Sequence, residues 1–162
     1  MKRIHIHVAV DDLAQNIAFY SLLFGSKASV IKPDYAKWLL ENPKINFAIS
    51  TGHSATGIRH LGIQVDSMNE FEEINENLNE AKQQLEIEDT CSCCYAISDK
   101  TWVNDPQGIN WETFITYGEE TVYGRGKYQR EIPDAQTKES LGQNSANLQS
   151  SKTACDSACS IA

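Results

Sequence analysis

A strand pattern that runs through an acidic turn into a helix occurs twice in this chain, at an offset of 55 residues. His60 falls over His5, Val65 over Val10, Asp66 over Asp11 and Met68 over Leu13. Such an internal duplication constrains the fold to two copies of one supersecondary unit. In the first copy, Arg3 to Val10 alternates Ile4, Ile6, Val8 and Val10 with His5, His7 and Ala9, the period of a half-buried strand. Asp11 and Asp12 then cap a helix expected from Leu13 to Phe24, with Leu13, Ile17, Phe19, Tyr20 and Leu23 as its apolar stripe and Gly25 as its stop. Strands are expected at 29–32, 36–40 and 45–50, separated by the Pro33-Asp34 and Asn42-Pro43 turn signals. In the second copy the helix is expected from Met68 to Gln84, with Phe71, Ile74 and Leu78 inward and Glu72, Glu73, Glu76 and Glu80 outward. Strand candidates follow at 85–88, 94–98, 102–103 and 109–116. Each copy reads as strand, helix and three strands, so the fold class is α+β, built of tandem βαβββ modules at about 1–52 and 58–117.

Apolar character stops near Tyr117, and from Gly118 to Ala162 the chain is rich in Ser, Gln, Asn, Thr, Glu and Lys. Too little apolar surface remains there to offset the entropy of ordering it, which predicts a flexible tail at 118–162 beside one domain at 1–117. Asp and Glu number 22 against 14 Lys and Arg, for a net charge of -8, and this field repels phosphate backbones. Nucleic acid is excluded as a partner on that ground. No apolar run reaches membrane-spanning length and no signal-peptide block follows Met1-Lys2-Arg3, so a cytoplasmic protein is expected. Five cysteines bunched at Cys91, Cys93, Cys94 and at Cys155, Cys159 do not form a secreted disulfide framework. Reduced thiols that bind a soft ion or electrophile are the expectation.

Two constellations carry chemistry. His5 and His60 stand at matched positions of the two first strands, opposite the aliphatic side, and Glu112 lies on a last strand. Two histidines and one carboxylate on one face, with other positions open, make the facial triad of non-haem Fe(II) enzymes; the same ligands also hold Mn, Co, Ni or Zn. His7 points to the same face and is the rival ligand, but it falls over Gly62 in the duplication. The alternative for both histidines is a pair of hydrogen-bonded pocket residues. His53, in a polar loop, is expected as a surface residue, and Trp38 and Trp102 as strand core residues. The second constellation is Thr90-Cys91-Ser92-Cys93-Cys94-Tyr95. Adjacent Cys93 and Cys94 close a disulfide on each other only with strain, which suits them to a soft electrophile such as a trivalent arsenic with two exchangeable hydroxyls. The final strands align Ile109 over Ile45, an offset of 64, so the second copy is nine residues longer in the region of this cluster, as an added substrate-binding loop would make it. Cys155 and Cys159, four apart, are possible auxiliary thiols.

These residues resemble a known superfamily. The run HIHVAVDDLAQNIAFYSLLFG from His5, HLGIQV from His60 and DPQGINWE from Asp105 to Glu112 are similar to the vicinal oxygen chelate superfamily of glyoxalases, bleomycin-resistance proteins and extradiol dioxygenases, over about residues 2–117. The resemblance implies an open barrel. Cys93-Cys94-Tyr95-Ala96 followed by Asp99-Lys100-Thr101-Trp102-Val103 and Asp105-Pro106 resembles, more narrowly, the branch of ArsI-type carbon–arsenic lyases and cadmium-induced proteins. That branch implies a dioxygenase using Fe(II) on His5, His60 and Glu112 with O2 as co-substrate, and a trivalent organoarsenical held by Cys93 and Cys94. Glyoxalases of this scaffold use four protein ligands, and here Ala48 stands opposite Glu112, leaving three. Two alternatives remain at this point: a non-catalytic cadmium or arsenite binder using Cys91, Cys93, Cys94 and the tail pair, or another dioxygenase or thiol transferase of the superfamily. With both modules in one chain, a monomer and a homodimer are both compatible with a complete site.

Overall fold

The computed structural model describes residues 1–93 and 96–119. The first module consists of β1 (Arg3–Ala9), α1 (Leu13–Phe24), β2 (Val30–Lys32), β3 (Tyr35–Glu41) and β4 (Lys44–Ser50). The second consists of β5 (Gly57–Val65), α2 (Met68–Glu80), β6 (Glu86–Cys93), β7 (Ala96–Asn104) and β8 (Asn110–Glu119). The βαβββ order expected from the duplication is present twice, and the fold is α+β.

All eight strands form one mixed sheet in the order β2-β3-β4-β1-β5-β8-β7-β6. That order repeats itself when read outward in either direction from its centre, where β1 and β5 pair antiparallel. Ile6 pairs with Leu61, its own equivalent at the offset of 55, so the pseudo-two-fold passes through this pair. In each module the first strand pairs parallel with the last, β1 with β4 and β5 with β8. Strand alternation then puts His5, His7, Asn46, His60, Glu112, Lys100 and Trp102 on one face of the sheet.

The opposite face is covered by the helices, α1 over β3 and β4 and α2 over β5 and β8. Asp12 caps α1 by accepting from the Gln15 amide at 2.9 Å, and Gly25 ends it in the left-handed conformation at φ 60°. Trp38, Phe47, Ile49, Val10 and Ala36 form the core beneath it, with Leu13, Ile17, Tyr20 and Phe24 packed on top. The expected stripe is corrected here: Phe19 and Leu23 are exposed, because a 3.6-residue period groups 13, 17, 20 and 24 and turns 19 and 23 away. Under α2, Val65, Phe71 and Ile115 form a smaller cluster with Ile63, Met68 and Ile74, and the glutamates of α2 face outward as expected. This helix stops at Glu80 rather than Gln84. Lys82 takes a positive φ of 54° and the Gln83 amide turns back to the Leu78 carbonyl, closing the last turn. Among the described residues no helix is long and apolar enough to cross a membrane.

Two other expectations change. The strands expected separately at 94–98 and 102–103 are joined from Ala96 to Asn104 in a single β7, and β6 continues past Glu88 to Cys93, held by pairing with β7 as far as Cys93 opposite Ala96. The nine additional residues therefore lengthen a hairpin instead of adding a loop. The last strand continues past Thr116 to Glu119. Residues 118–119, expected to open the tail at 118–162, belong to that strand; Cys94 and the tail from 120 onward, with Cys155 and Cys159, lie outside the described residues.

The one glycine the site depends on is Gly62, which pairs with Glu112 across β5 and β8. A Cβ there would press on the Glu112 carbonyl oxygen, inside van der Waals contact and against backbone that has no room to yield. Gly62→Ala is expected to cost about 2–3 kcal/mol in urea unfolding.

Candidate metal centre

His5 is carried by β1, His60 by β5 and Glu112 by β8, three strands adjacent in the sheet. His5 and His60 are diagonal neighbours across the pseudo-two-fold, since His5 is in register with Gly62 and His60 with His7. Their Nε2 atoms stand 3.1 Å apart. The Oε2 atom of Glu112 is 3.6 Å from the first and 3.4 Å from the second. Two donors at right angles around an ion, each about 2.1 Å from it, stand about 3.0 Å apart, and about 3.4 Å in a tetrahedron. The three separations fit one ion held by all three atoms, and these residues are the one His, Cys, Asp or Glu group of that geometry among the described residues.

The surroundings prepare His5 and Glu112 for a cation. His5 donates Nδ1–H to the Asn46 carbonyl at 3.0 Å, which fixes the tautomer with its Nε2 lone pair toward the centre. Burial, only partly opposed by the charge of Glu112, lowers the His5 pKa from 6.5 to about 4, so the ring is neutral at physiological pH. Glu112 is 3 % exposed. Burial alone would raise its carboxyl, but the Lys100 ammonium and then His60 and His5 hold it well below the usual carboxylate range.

Lys100 is a residue of the candidate site that sequence reading missed. It is 6 % exposed on β7, and its Nζ donates to Glu112 Oε1 at 2.5 Å. With Oε1 engaged, Oε2 remains to face the histidines, so the carboxylate is arranged for one bond to an ion. One-atom coordination by each of three residues would leave other positions around an ion open. The available signal was parity: Lys100 is two residues from Trp102, and both share the face of Glu112 and Phe114. Trp102 is accordingly not part of the helix-side core. Its ring meets His60 edge-on at 5.0 Å, and its buried Nε1 has no hydrogen-bond partner among the described residues. Trp38 is in the core as expected, fully buried.

The other two histidines also gather here. His7 is 4 % exposed, its ring 4.9 Å from that of His60, and its Nε2 is engaged by Ser50 Oγ at 2.7 Å. Ser50 Oγ in turn meets His53 Nε2 at 2.7 Å. His53 was expected at the surface without a partner; it is half-buried, because the loop after β4 folds back over Ser50. Cys93 ends β6, and Cys91 lies two residues earlier opposite Ser98 of β7.

A family model described as Glyoxalase/Bleomycin resistance protein/Dioxygenase superfamily matches residues 2–113. The chain belongs to this superfamily. A relative from Bacillus sp. (strain MD1), named trivalent organoarsenical cleaving enzyme, is 43% identical over 121 residues, covering 72% of this chain and 74% of its own. The cadmium-induced protein CadI of Mycobacterium bovis is 31% identical over 137 residues, covering 84% of this chain and 90% of its own. Among solved structures, homoprotocatechuate 2,3-dioxygenase from Brevibacterium fuscum, as its E323L mutant, superposes with a TM-score of 0.55 at 16% identity. The match covers 74% of this chain and 33% of that one, and it supports the superfamily fold alone.

Two predictions follow for this superfamily member. Lys100→Met leaves Glu112 as an uncompensated buried charge and is expected to cost about 3–5 kcal/mol at neutral pH. Most of that loss is recovered in Lys100→Met/Glu112→Gln, measured by urea unfolding. The pH dependence has a definite sign. Below 6.5 the unfolded chain protonates His5 and His7 while burial keeps both neutral in the fold. Metal-free stability is therefore full above pH 6.5 and falls as pH drops toward 4, by up to about 1.4 kcal/mol per pH unit for each histidine. Glu112 adds loss in the same direction below 4.5. Thermal unfolding from pH 7 to 4 checks this, and His5→Gln should flatten the slope.

Proposed function

We propose that this protein is a non-haem Fe(II)-dependent dioxygenase that cleaves the carbon–arsenic bond of trivalent organoarsenicals, methyl or aromatic, and releases arsenite. The observation that carries the reading is the convergence of two imidazole nitrogens and one carboxylate oxygen within 3.6 Å of one another, with an alanine, Ala48, where a fourth donor would stand. Relatives named for cleaving trivalent organoarsenicals, at 32% to 43% identity, give the substrate class. When bound, Fe(II) supplies the activation of O2 that a dioxygenase needs.

The chain's own residues have distinct tasks in this reading. His5, His60 and Glu112 hold the metal, and Lys100 orients Glu112 so that coordination positions stay open. Cys93 and Cys94 bind the substrate: their thiols each form a sulfur–arsenic bond as the two hydroxyls of the arsenical leave as water, with no change in oxidation state. The carbon–arsenic bond is thereby fixed in place, which turns an encounter in solution into a positioned reaction. Cys91, Cys155 and Cys159 are assigned auxiliary roles in thiol supply at most. Because His5, His60 and Glu112 all come from one chain, the site requires no second copy. A cytoplasmic location, where thiols stay reduced, suits this chemistry.

A second reading is favoured by the relative named for cadmium induction: a protein that sequesters cadmium or arsenite without turnover. The test is arsenite release from methylarsonous acid in large excess, with and without Fe(II) and air. Many turnovers that need both are expected. Uptake that stops near one equivalent regardless of air would replace the lyase with the sequestering protein. Cys93→Ser and Cys94→Ser are each expected to lose turnover while retaining metal, read by metal analysis after gel filtration.

A further inference from the structure

The two modules differ most at one pair of facing residues. In the second, Glu112 stands beside Gly62 on the neighbouring strand; at the equivalent place in the first, Ala48 stands beside His7. The large side chain has changed strands. In the second module a carboxylate extends from the last strand over a glycine, which leaves it room to reach the histidines. In the first an imidazole extends from the first strand over an alanine.

We propose that His7 fills the place of a fourth protein ligand and so keeps the metal centre at three. This rests on reading His5, His60 and Glu112 as the ligands. By the pseudo-two-fold, a carboxylate at position 48 would approach the centre as Glu112 does from the other side, through the space beside residue 7. His7 occupies that space: it is buried, its ring centroid is 4.9 Å from that of His60 and 6.4 Å from that of His5. It does not act as the fourth ligand itself: its Nε2 is engaged by Ser50 Oγ at 2.7 Å, and His7 lies outside the group His5, His60 and Glu112 whose donor atoms converge. Ser50 Oγ carries one hydrogen and has an imidazole nitrogen at 2.7 Å on each side, so it donates to one and accepts from the other. His7 is pinned through this serine to His53, and the edge of Tyr35 closes its other side at 6.4 Å. His7 is thus a positioning residue: it forms the wall of the open coordination side and denies that side to the protein.

The test transplants the second module's arrangement onto the first and reads Co(II) binding and the Co(II) absorption spectrum, with no arsenical or oxygen present. His7→Gly/Ala48→Glu is expected to gain a carboxylate ligand, with Co(II) bound about tenfold tighter or more, ~1.4 kcal/mol, and a changed visible spectrum. Ala48→Glu alone is expected to gain neither, because the imidazole is in the way. His7→Ala/Ala48→Asp repeats the exchange with a smaller change in buried volume, and circular dichroism establishes which variants are folded. If Ala48→Glu alone gains the ligand as readily as the double variant, or if neither double variant gains it, the proposal is overturned while the three-ligand centre stands. His60→Ala separates the two: retention of Co(II) in that variant would remove the ligand set, and this proposal with it.

Discussion

The antiparallel pairing of β1 with β5 is the constraint on which the rest depends. Strands from two copies of one unit meet at Ile6 and Leu61, equivalent residues lying on their own pseudo-two-fold. Everything polar on that face is then placed by register. His5 and His60 become diagonal neighbours, and the parallel pairing of β5 with β8 delivers Glu112 beside them. A one-residue slip at the centre would put the two histidines on opposite faces of the sheet, and the buried Ile49, Val65 and Ile115 beneath the helices resist such a slip. The hydrophobic layer on one face thus fixes the geometry of a polar site on the other.

That polar site is costly to bury, and its composition reflects the cost. Glu112, Lys100, His5 and His7 are each at least nine-tenths removed from solvent. The carboxylate stays ionised because an ammonium is fixed 2.5 Å from one of its oxygens, and the histidines stay neutral because burial disfavours their charge. The result is that His5 and Glu112 are already in the protonation states a divalent cation requires before any cation arrives. Little reorganisation is left for binding itself. The same pairing that neutralises Glu112 also limits it to one oxygen, so charge compensation and an open coordination sphere have a common source.

Much of this was legible in the sequence because duplication makes position informative. A lone histidine in a strand says little; His5 and His60 at matched places say that two strands bring them together. The caps of α1, the outward glutamates of α2 and the repeated strand–helix–strands order followed from period and turn chemistry. What escaped depended on pairing between strands. In the sequence Lys100 is one member of the run Asp99-Lys100-Thr101-Trp102-Val103 with no role of its own, and only its register with Phe114, beside Trp102 and Glu112, places it in the centre. His53 read as a loop residue, and only the return of the chain over Ser50 gives it a partner. Phe19 and Leu23 were grouped with the core by apolarity, while the helical period turned them outward. Cys91 and Cys93 read as parts of an inserted loop because no spacing rule shows that β6 and β7 lengthen together.

The central claim is a metal held by two imidazoles and one oxygen of a carboxylate, with the remaining positions open. X-ray absorption of the Fe(II)-loaded protein without substrate tests it most directly. The expected spectrum has only nitrogen and oxygen neighbours at about 2.0–2.2 Å, with multiple scattering from two imidazoles that drops to one in His60→Ala. Sulfur at about 2.3 Å, or a spectrum without imidazole scattering, would place the metal on the cysteines or elsewhere and contradict the assignment.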